Sequence, residues 1–261
     1  MLEAPQSFVV RQECEKAAWQ HGFRRVLGEQ AGWLAFGSTT AQGTIYIAAA
    51  SPQGPWFLAL DHPGVIAEMG LPTTNILGAG RTRYAFDNLS GLYAALHRVY
   101  QLGVSLPDAP LREFDARTAA LPKTTEAERL VVQRIGQDIF RACLMDYWQG
   151  RCPLTGISDP ALLRASHIIP WSECESDAER LDVHNGFLLS ALWDAAFDRA
   201  LVTFDEEGRP EFSTNVSEPA RAELRWHSAI PLTREHQQRL ATHRRRVRNL
   251  SWPLPLSKPT N

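Results

Sequence analysis

The segment from residue 151 to residue 212 constrains the fold most, because three kinds of structural element are predicted there in a fixed order. The apolar run 162–169 has the composition of a strand and carries His167 near its end. The turn Asn185-Gly186 leads into a second short apolar run, and a helix is predicted from about Ser190. Two strands and a short helix are therefore expected to form one compact motif.

The predicted helix carries two carboxylates, Asp194 and Asp198, which are four residues apart. This spacing places both side chains on one face of a helix, one turn apart. Two carboxylates held this close repel each other, and a hard divalent cation that prefers oxygen ligands would relieve the repulsion. The pair is a candidate metal site, although such a pair taken alone is more often an ordinary solvated helix face.

Together these motifs resemble those of bacterial HNH endonucleases, whose fold is the ββα-metal fold. The resemblance rests on LLRASHIIPW at residues 162–171, the Asn185-Gly186 turn, and DAAFD at residues 194–198, and it covers about residues 124–212. Each motif alone is a weak signal, and their co-occurrence at this spacing makes the resemblance specific. It implies an enzyme that hydrolyses phosphodiester bonds in DNA with a divalent metal ion.

The resemblance also implies roles for four residues. His167 corresponds to the general base that takes a proton from the attacking water, a task that suits a neutral imidazole. Asn185 corresponds to a catalytic-site asparagine that in different HNH enzymes either ligates the metal or holds the histidine-bearing loop. Asp194 corresponds to the last histidine of the HNH name, and Asp198 to a further metal ligand of some relatives. A metal ion there would stabilise the pentacovalent phosphate and the leaving 3′ oxygen.

Two departures from the family pattern affect the expected cofactor. Ser166 stands where many HNH enzymes have a metal-binding aspartate or histidine, and Asp194 replaces a histidine. The remaining ligands are oxygen atoms, so Mg²⁺ or Mn²⁺ is expected rather than Zn²⁺. No structural zinc is expected, because Cys152 lacks the second cysteine of a CxxC pair. The same departures keep open an alternative, a catalytically inactive nucleic-acid-binding protein on an HNH scaffold.

The length of 261 residues is enough for two domains, and the patterns predict an α+β fold. Residues 1–107 mix helical and strand-like runs and are expected to form an α+β domain for recognition, dimerisation or regulation. Residues 108–123 contain two prolines and little periodicity, and are expected to be a linker. Residues 124–261 are expected to form the HNH nuclease domain, whose first helix begins at the capping-box sequence 125–128.

The net charge of −2 argues against a strongly basic nucleic-acid binder, but the basic residues are unevenly distributed. Eight arginines and two glutamates lie between residues 221 and 250. This segment is predicted to end in a helix that is either a solvated face or a contact surface for the DNA backbone. Beside a phosphodiesterase site the second interpretation is favoured. The residues assigned to this contact are Arg244, Arg245, Arg246 and Arg248.

Neither a signal-peptide pattern nor an apolar run long enough to span a membrane is found in the sequence. The four cysteines have no paired spacing and are expected to be reduced thiols. We therefore expect a cytoplasmic protein that does not bind a membrane. The resemblance to HNH endonucleases implies that it binds DNA and acts in bacterial restriction or defence. The sequence leaves open whether the protein is a homodimer, which sequence it cleaves, and whether it prefers DNA to RNA.

Overall fold

The computed structural model describes residue 2, residues 4–122 and residues 124–249. The chain divides into two compact units, Met1–Ala109 and Pro110–Asn261. Each unit contains helices and antiparallel strands, which confirms the expected α+β class. Within the described residues, no helix is both long enough and apolar enough to cross a membrane.

The first unit is built on a five-stranded antiparallel sheet in which the strands are adjacent in sequence order. Its strands are β1 (Arg25–Gln30), β2 (Trp33–Gly37), β3 (Thr44–Ala49), β4 (Trp56–Leu60) and β5 (Thr82–Phe86). Its helices are α1 (Phe8–Gln20), α2 (Pro63–Glu68) and α3 (Leu89–Ser105). Strands β2 and β4 are buried along their whole length, which explains why their apolar runs stand out in the sequence.

Strands β1 and β5 are not apparent from the sequence pattern. Strand β1 lies at the edge of the sheet and is largely exposed, with Val26 66% exposed. Its pairing with β2 is interrupted by an irregularity between Val26 and Gly28. An apolar period of two arises when one face of a strand is buried. An exposed edge strand therefore gives no such pattern.

The second unit contains the hairpin and helix that the sequence predicts. Strands β6 (Leu163–His167) and β7 (Gly186–Ser190) pair in antiparallel fashion. Helix α7 (Ala191–Asp198) follows β7 directly and contacts both strands. The long helix α5 (Glu126–Tyr147) also contacts both strands, and it begins with the predicted capping box between Thr125 and Glu128.

Five further helices and strands belong to this unit. They are α6 (Asp177–Arg180), β8 (Val202–Phe204), β9 (Pro210–Phe212), α8 (Glu218–Glu223) and α9 (Arg234–Asn249). Phe197 lies 5.6 Å from Phe187 and 5.5 Å from Phe204, measured between ring centroids. His243 stacks on Phe197 with centroids 4.0 Å apart. The arginine-rich helix α9 is therefore anchored to the core.

Residues 108–123, the segment expected to be a linker, instead contain helix α4 (Ala109–Thr118). Phe114 of this helix is only 3% exposed. A Cβ atom on Gly136 of α5 would lie 3.3 Å from the Phe114 ring, so α4 packs directly against α5. Pro110 lies in the first turn of α4, where a backbone N–H would have no partner within the helix. A proline at this position is compatible with a helix and does not mark a linker.

Candidate active site

His167, the proposed general base, is the last residue of β6, and its ring lies between two aromatic side chains. The ring stacks on Phe140 of α5 with centroids 3.8 Å apart and meets Trp171 edge-on at 5.6 Å. A Cβ atom on Gly186 would lie 2.4 Å from Phe140, and one on Gly136 would lie 2.5 Å from Trp171. The two glycines therefore permit the close packing that fixes the plane of the imidazole.

The hydrogen bonding of His167 indicates which ring nitrogen can act as a base. Nε2 lies 2.9 Å from the backbone carbonyl oxygen of Arg180. Because a carbonyl can only accept, Nε2 carries the proton and Nδ1 keeps its lone pair in the neutral ring. Burial lowers the pKa of His167 below its usual value, so the neutral form predominates at pH 7. A neutral imidazole whose Nδ1 keeps its lone pair meets the first requirement of a general base.

Asn185 is fully buried immediately before β7, and its side chain ties together the loop that follows β6. Its Oδ1 accepts a hydrogen bond from the N–H of Ile169 at 2.9 Å. Its Nδ2 donates to the carbonyl oxygens of Ile169 and Glu179 at 3.3 and 3.2 Å. The amide oxygen is thus engaged and buried, and metal ligation by Asn185 stays a prediction. These hydrogen bonds fit the loop-holding role, in which Asn185 would act as a positioning residue.

The two aspartates of α7 differ in their surroundings. Partial burial of its carboxyl group and then repulsion by Asp194 raise the pKa of Asp198 to about 6, against an opposing effect of Arg199. Asp194 is held from β6, where the Ser166 hydroxyl donates to Oδ1 at 2.5 Å. Ser166 is buried, so this hydrogen bond fixes the orientation of the Asp194 carboxylate. Ser166 therefore supports one member of the carboxylate pair.

A cavity of about 460 Å³ lies beside the hairpin and α7. His167 and Asp198 both line this cavity, so the structure brings together two of the residues that the sequence singles out. Asn185 supports the loop from within the protein, and Asp194 lies one helical turn before Asp198. The charged residues of the cavity wall are Glu173, Asp198, Arg199 and Arg246.

The four arginines of α9 that were assigned to a DNA contact differ in how far they are engaged within the protein. Arg244 donates to the carbonyl oxygens of residues 204 and 205 at 2.6 and 2.8 Å, which fastens α9 to the β8–β9 hairpin. Arg246 and Arg248 form ion pairs with glutamates at 3.0 and 3.5 Å. Arg245 is exposed and donates to Thr242. Arg244 is therefore a structural residue, and Arg246 reaches the cavity. The DNA contacts assigned to Arg245, Arg246 and Arg248 stay predictions.

Within the described residues, no three side chains of His, Cys, Asp or Glu form a metal-binding cluster. The donors that α7 offers are the carboxylates of Asp194 and Asp198, which lie one helical turn apart. Such a pair fits a hard divalent cation that takes its other ligands from water and a substrate phosphate. All four cysteines are buried free thiols.

Comparison with known families agrees with this geometry. Residues 152–205 match the family model described as HNH endonuclease. The matched segment includes β6, β7, α7 and β8, so the C-terminal half of the chain contains an HNH endonuclease domain. Such a domain indicates nuclease activity on nucleic acid, and the family generally uses a divalent metal ion. No curated protein matches the chain.

Two residues of the site were not singled out by the sequence patterns, namely Phe140 and Arg199. Phe140 is one of several apolar residues on α5, and no spacing rule links it to His167. Arg199 follows Asp198 directly, and this adjacency was the available signal. Its place on the cavity wall depends on how α7 packs against the hairpin.

Proposed function

We propose that the C-terminal unit is a metal-dependent endonuclease that hydrolyses phosphodiester bonds in DNA. The supporting observation is that His167 and Asp198 line one cavity. His167 is a neutral base whose Nε2 is already occupied, and Asp198 is a carboxylate whose charge a nearby cation would stabilise, since burial and then Asp194 raise its pKa. Phosphodiester hydrolysis needs a base for the attacking water and positive charge for the phosphate.

In the proposed reaction, Nδ1 of His167 accepts a proton from water while the water oxygen forms a bond to phosphorus. The bond between phosphorus and the 3′ oxygen breaks, and the leaving oxygen takes a proton from solvent. The products carry a 5′-phosphate and a 3′-hydroxyl. The Arg180 carbonyl accepts from Nε2 throughout and so favours the imidazolium that forms. A divalent ion held by Asp194 and Asp198 would supply the charge that stabilises the leaving oxygen.

The donor atoms support a choice among metals. Asp194 and Asp198 offer oxygen ligands, and hard cations such as Mg²⁺ and Mn²⁺ prefer oxygen to the nitrogen and sulfur ligands typical of Zn²⁺ sites. We therefore propose Mg²⁺ or Mn²⁺ as the cofactor. The proposed setting is bacterial restriction or defence in the cytoplasm, with the N-terminal unit acting in recognition, dimerisation or regulation.

The alternative is an HNH domain that binds nucleic acid without cutting it. The identities of Ser166 and Asp194 favour it, because many HNH enzymes have a metal-binding aspartate or histidine at the position of Ser166 and a histidine at the position of Asp194. The Ser166–Asp194 hydrogen bond shows that the two positions still interact. Binding of DNA without cleavage, in saturating Mg²⁺ or Mn²⁺, would decide for this alternative.

The replacement His167→Ala should abolish metal-dependent cleavage while leaving DNA affinity nearly unchanged. Loss of a general base typically costs about 10²–10⁴-fold in rate. The measurement is conversion of supercoiled plasmid to nicked and linear forms at saturating Mn²⁺ or Mg²⁺, with duplex affinity measured in parallel.

The matched control is His227→Ala, because His227 is exposed, belongs to the same unit and does not line the cavity. This variant should cut at the rate of the unchanged protein. Wild-type cleavage rates in His167→Ala would show that another group acts as the base.

A further inference from the structure

Two arginines line the cavity that contains His167 and Asp198, and they differ in what holds them. Arg246 of α9 is paired with Glu173 at 3.0 Å, so its charge is already compensated. Arg199 is the C-cap residue of α7. Within the part of the chain that the structure describes, no hydrogen bond or ion pair engages the Arg199 guanidinium. Arg199 is therefore the uncommitted cation of the cavity.

The location of Arg199 places its charge beside the reacting groups. It follows Asp198 directly in the chain, and both side chains line the cavity. His167, on the same cavity wall, is neutral at pH 7. A phosphodiester that enters the cavity adds another negative charge. Neither the neutral imidazole nor the carboxylates can balance that charge, so a permanent cation at this point favours binding.

We propose that Arg199 binds the phosphate that is cleaved, or the phosphate next to it, and positions it against His167 and Asp198. The proposal rests on the proposed nuclease function. A guanidinium presents parallel N–H donors that match two phosphate oxygens, which gives orientation as well as charge. On this proposal Arg199, rather than the arginines of α9, provides the main phosphate contact at the cleavage site.

The test is a salt titration of DNA affinity for Arg199→Gln, measured in the cleavage-deficient His167→Ala background with a short labelled duplex and no divalent metal. Each phosphate contact contributes about 0.9 to the slope of log K against log salt. Arg199→Gln should therefore lower the magnitude of the slope by about 0.9, and Arg199→Lys should retain most of it. A slope unchanged by Arg199→Gln would overturn the proposal.

Two further measurements separate a phosphate contact from a general effect of charge. Arg234→Gln removes another exposed positive charge from the same unit, at a position outside the cavity wall, and should leave the slope unchanged. With His167 intact, Arg199→Lys should bind DNA normally but cleave at least tenfold more slowly, because an ammonium lacks the planar fork of a guanidinium. Equal losses of slope in Arg199→Gln and Arg234→Gln would show that Arg199 acts through net charge alone, against the proposal.

Failure of this proposal can be distinguished from failure of the nuclease function, because the slope is measured without cleavage. If Arg199→Gln reduces the slope but the wild-type protein never cuts DNA, the phosphate contact stands and the proposed hydrolysis is wrong. Normal cleavage with an unchanged slope would retain hydrolysis and reject the role of Arg199. Failure of the unchanged protein to bind DNA at low salt would reject both.

Discussion

Two histidines line the same cavity, and their hydrogen bonds separate the reactive one from the structural one. His243 has both nitrogens engaged, Nδ1 with the Thr203 hydroxyl at 3.0 Å and Nε2 with the Phe197 carbonyl at 3.1 Å. Burial lowers its pKa to about 4, so it is a neutral part of the core. His167 uses Nε2 for the Arg180 carbonyl, which leaves Nδ1 as the acceptor for a water proton.

At the scale of single residues, the pKa of Asp198 predicts how metal binding depends on pH. Adding Mg²⁺ or Mn²⁺ at pH 8 should raise the melting temperature of the protein, by an amount equivalent to about 2.7 kcal/mol at a hundred times the dissociation constant. The gain should fade as the pH falls through about 6, because protonated Asp198 no longer binds a cation. Thermal melts with and without metal across this pH range measure the effect.

The matched variant for this experiment is Asp198→Asn. In the folded protein the pKa of Asp198 is about 6, above its ordinary 3.8, so folding favours the protonated carboxyl. The contribution of this group to the free energy of unfolding is therefore fully present below about pH 4 and is lost as the pH rises through 6. Asp198→Asn should therefore melt higher than the unchanged protein at pH 8 without metal, and about equally at pH 4. It should also lose the response to metal, as should Asp194→Ala/Asp198→Ala. An undiminished response in the double variant would place the metal elsewhere.

At the scale of elements, the site depends on how closely α5 approaches the β6–β7 hairpin. Gly186 pairs with His167 across the hairpin, and the absence of a side chain there admits Phe140. Arg141, the next residue of α5, donates to the carbonyl oxygens of Leu163 and Pro160, both at 2.8 Å. These contacts join the helix to the start and the end of β6. Helix α5 therefore determines where the imidazole lies.

The replacement Gly186→Ala should destabilise the protein and reduce cleavage together. The new Cβ atom would lie 2.4 Å from the Phe140 ring and 3.0 Å from the Ser166 carbonyl oxygen, so the helix or the strand must shift. Overpacking of this kind typically costs about 1–3 kcal/mol. Urea unfolding and plasmid cleavage measure the two effects.

Gly37→Ala is a suitable control, since its new Cβ atom would meet the Leu27 side chain at an ordinary 3.4 Å. It should change neither stability nor cleavage appreciably. A Gly186→Ala protein with full stability and activity would show that α5 can move away without displacing His167.

At the scale of the whole molecule, helix α4 bears on where the nuclease unit begins. Residues 124–261 were expected to form the domain, whereas Phe114 is buried and α4 packs on α5. We propose that the independently folding unit starts before α4, in line with the division of the chain at Ala109 and Pro110.

A fragment of residues 108–261 should be more stable than a fragment of residues 124–261. Removal of α4 exposes the surface that Phe114 covers, and burial of one such side chain is worth about 1.5–3 kcal/mol. The shorter fragment should melt roughly 5–10 °C lower. Thermal melts of both fragments give the comparison, and Phe114→Ala in the longer fragment should account for most of the difference. Equal melting temperatures would restore residues 108–123 to the role of a linker.

Local interactions explain the features that the sequence determined by itself. The Thr125–Glu128 capping box joins residues three apart, and the strand Trp56–Leu60 appears as an apolar run because the whole strand is buried. The order of strand, turn, strand and helix around His167 follows in the same way from local composition. The carboxylate pair depends only on a spacing of four residues along one helix.

Tertiary structure alone decided which of these side chains remain available for chemistry. The amide oxygen of Asn185 accepts a hydrogen bond from the backbone N–H of residue 169, and Arg244 donates to carbonyl oxygens about forty residues away in the chain. Arg199 gains a place beside His167 because α7 packs against the hairpin. A hydrogen bond or a cavity wall between distant residues depends on the position of both partners in space. Local sequence fixes the type of each side chain, and packing between elements fixes its partners.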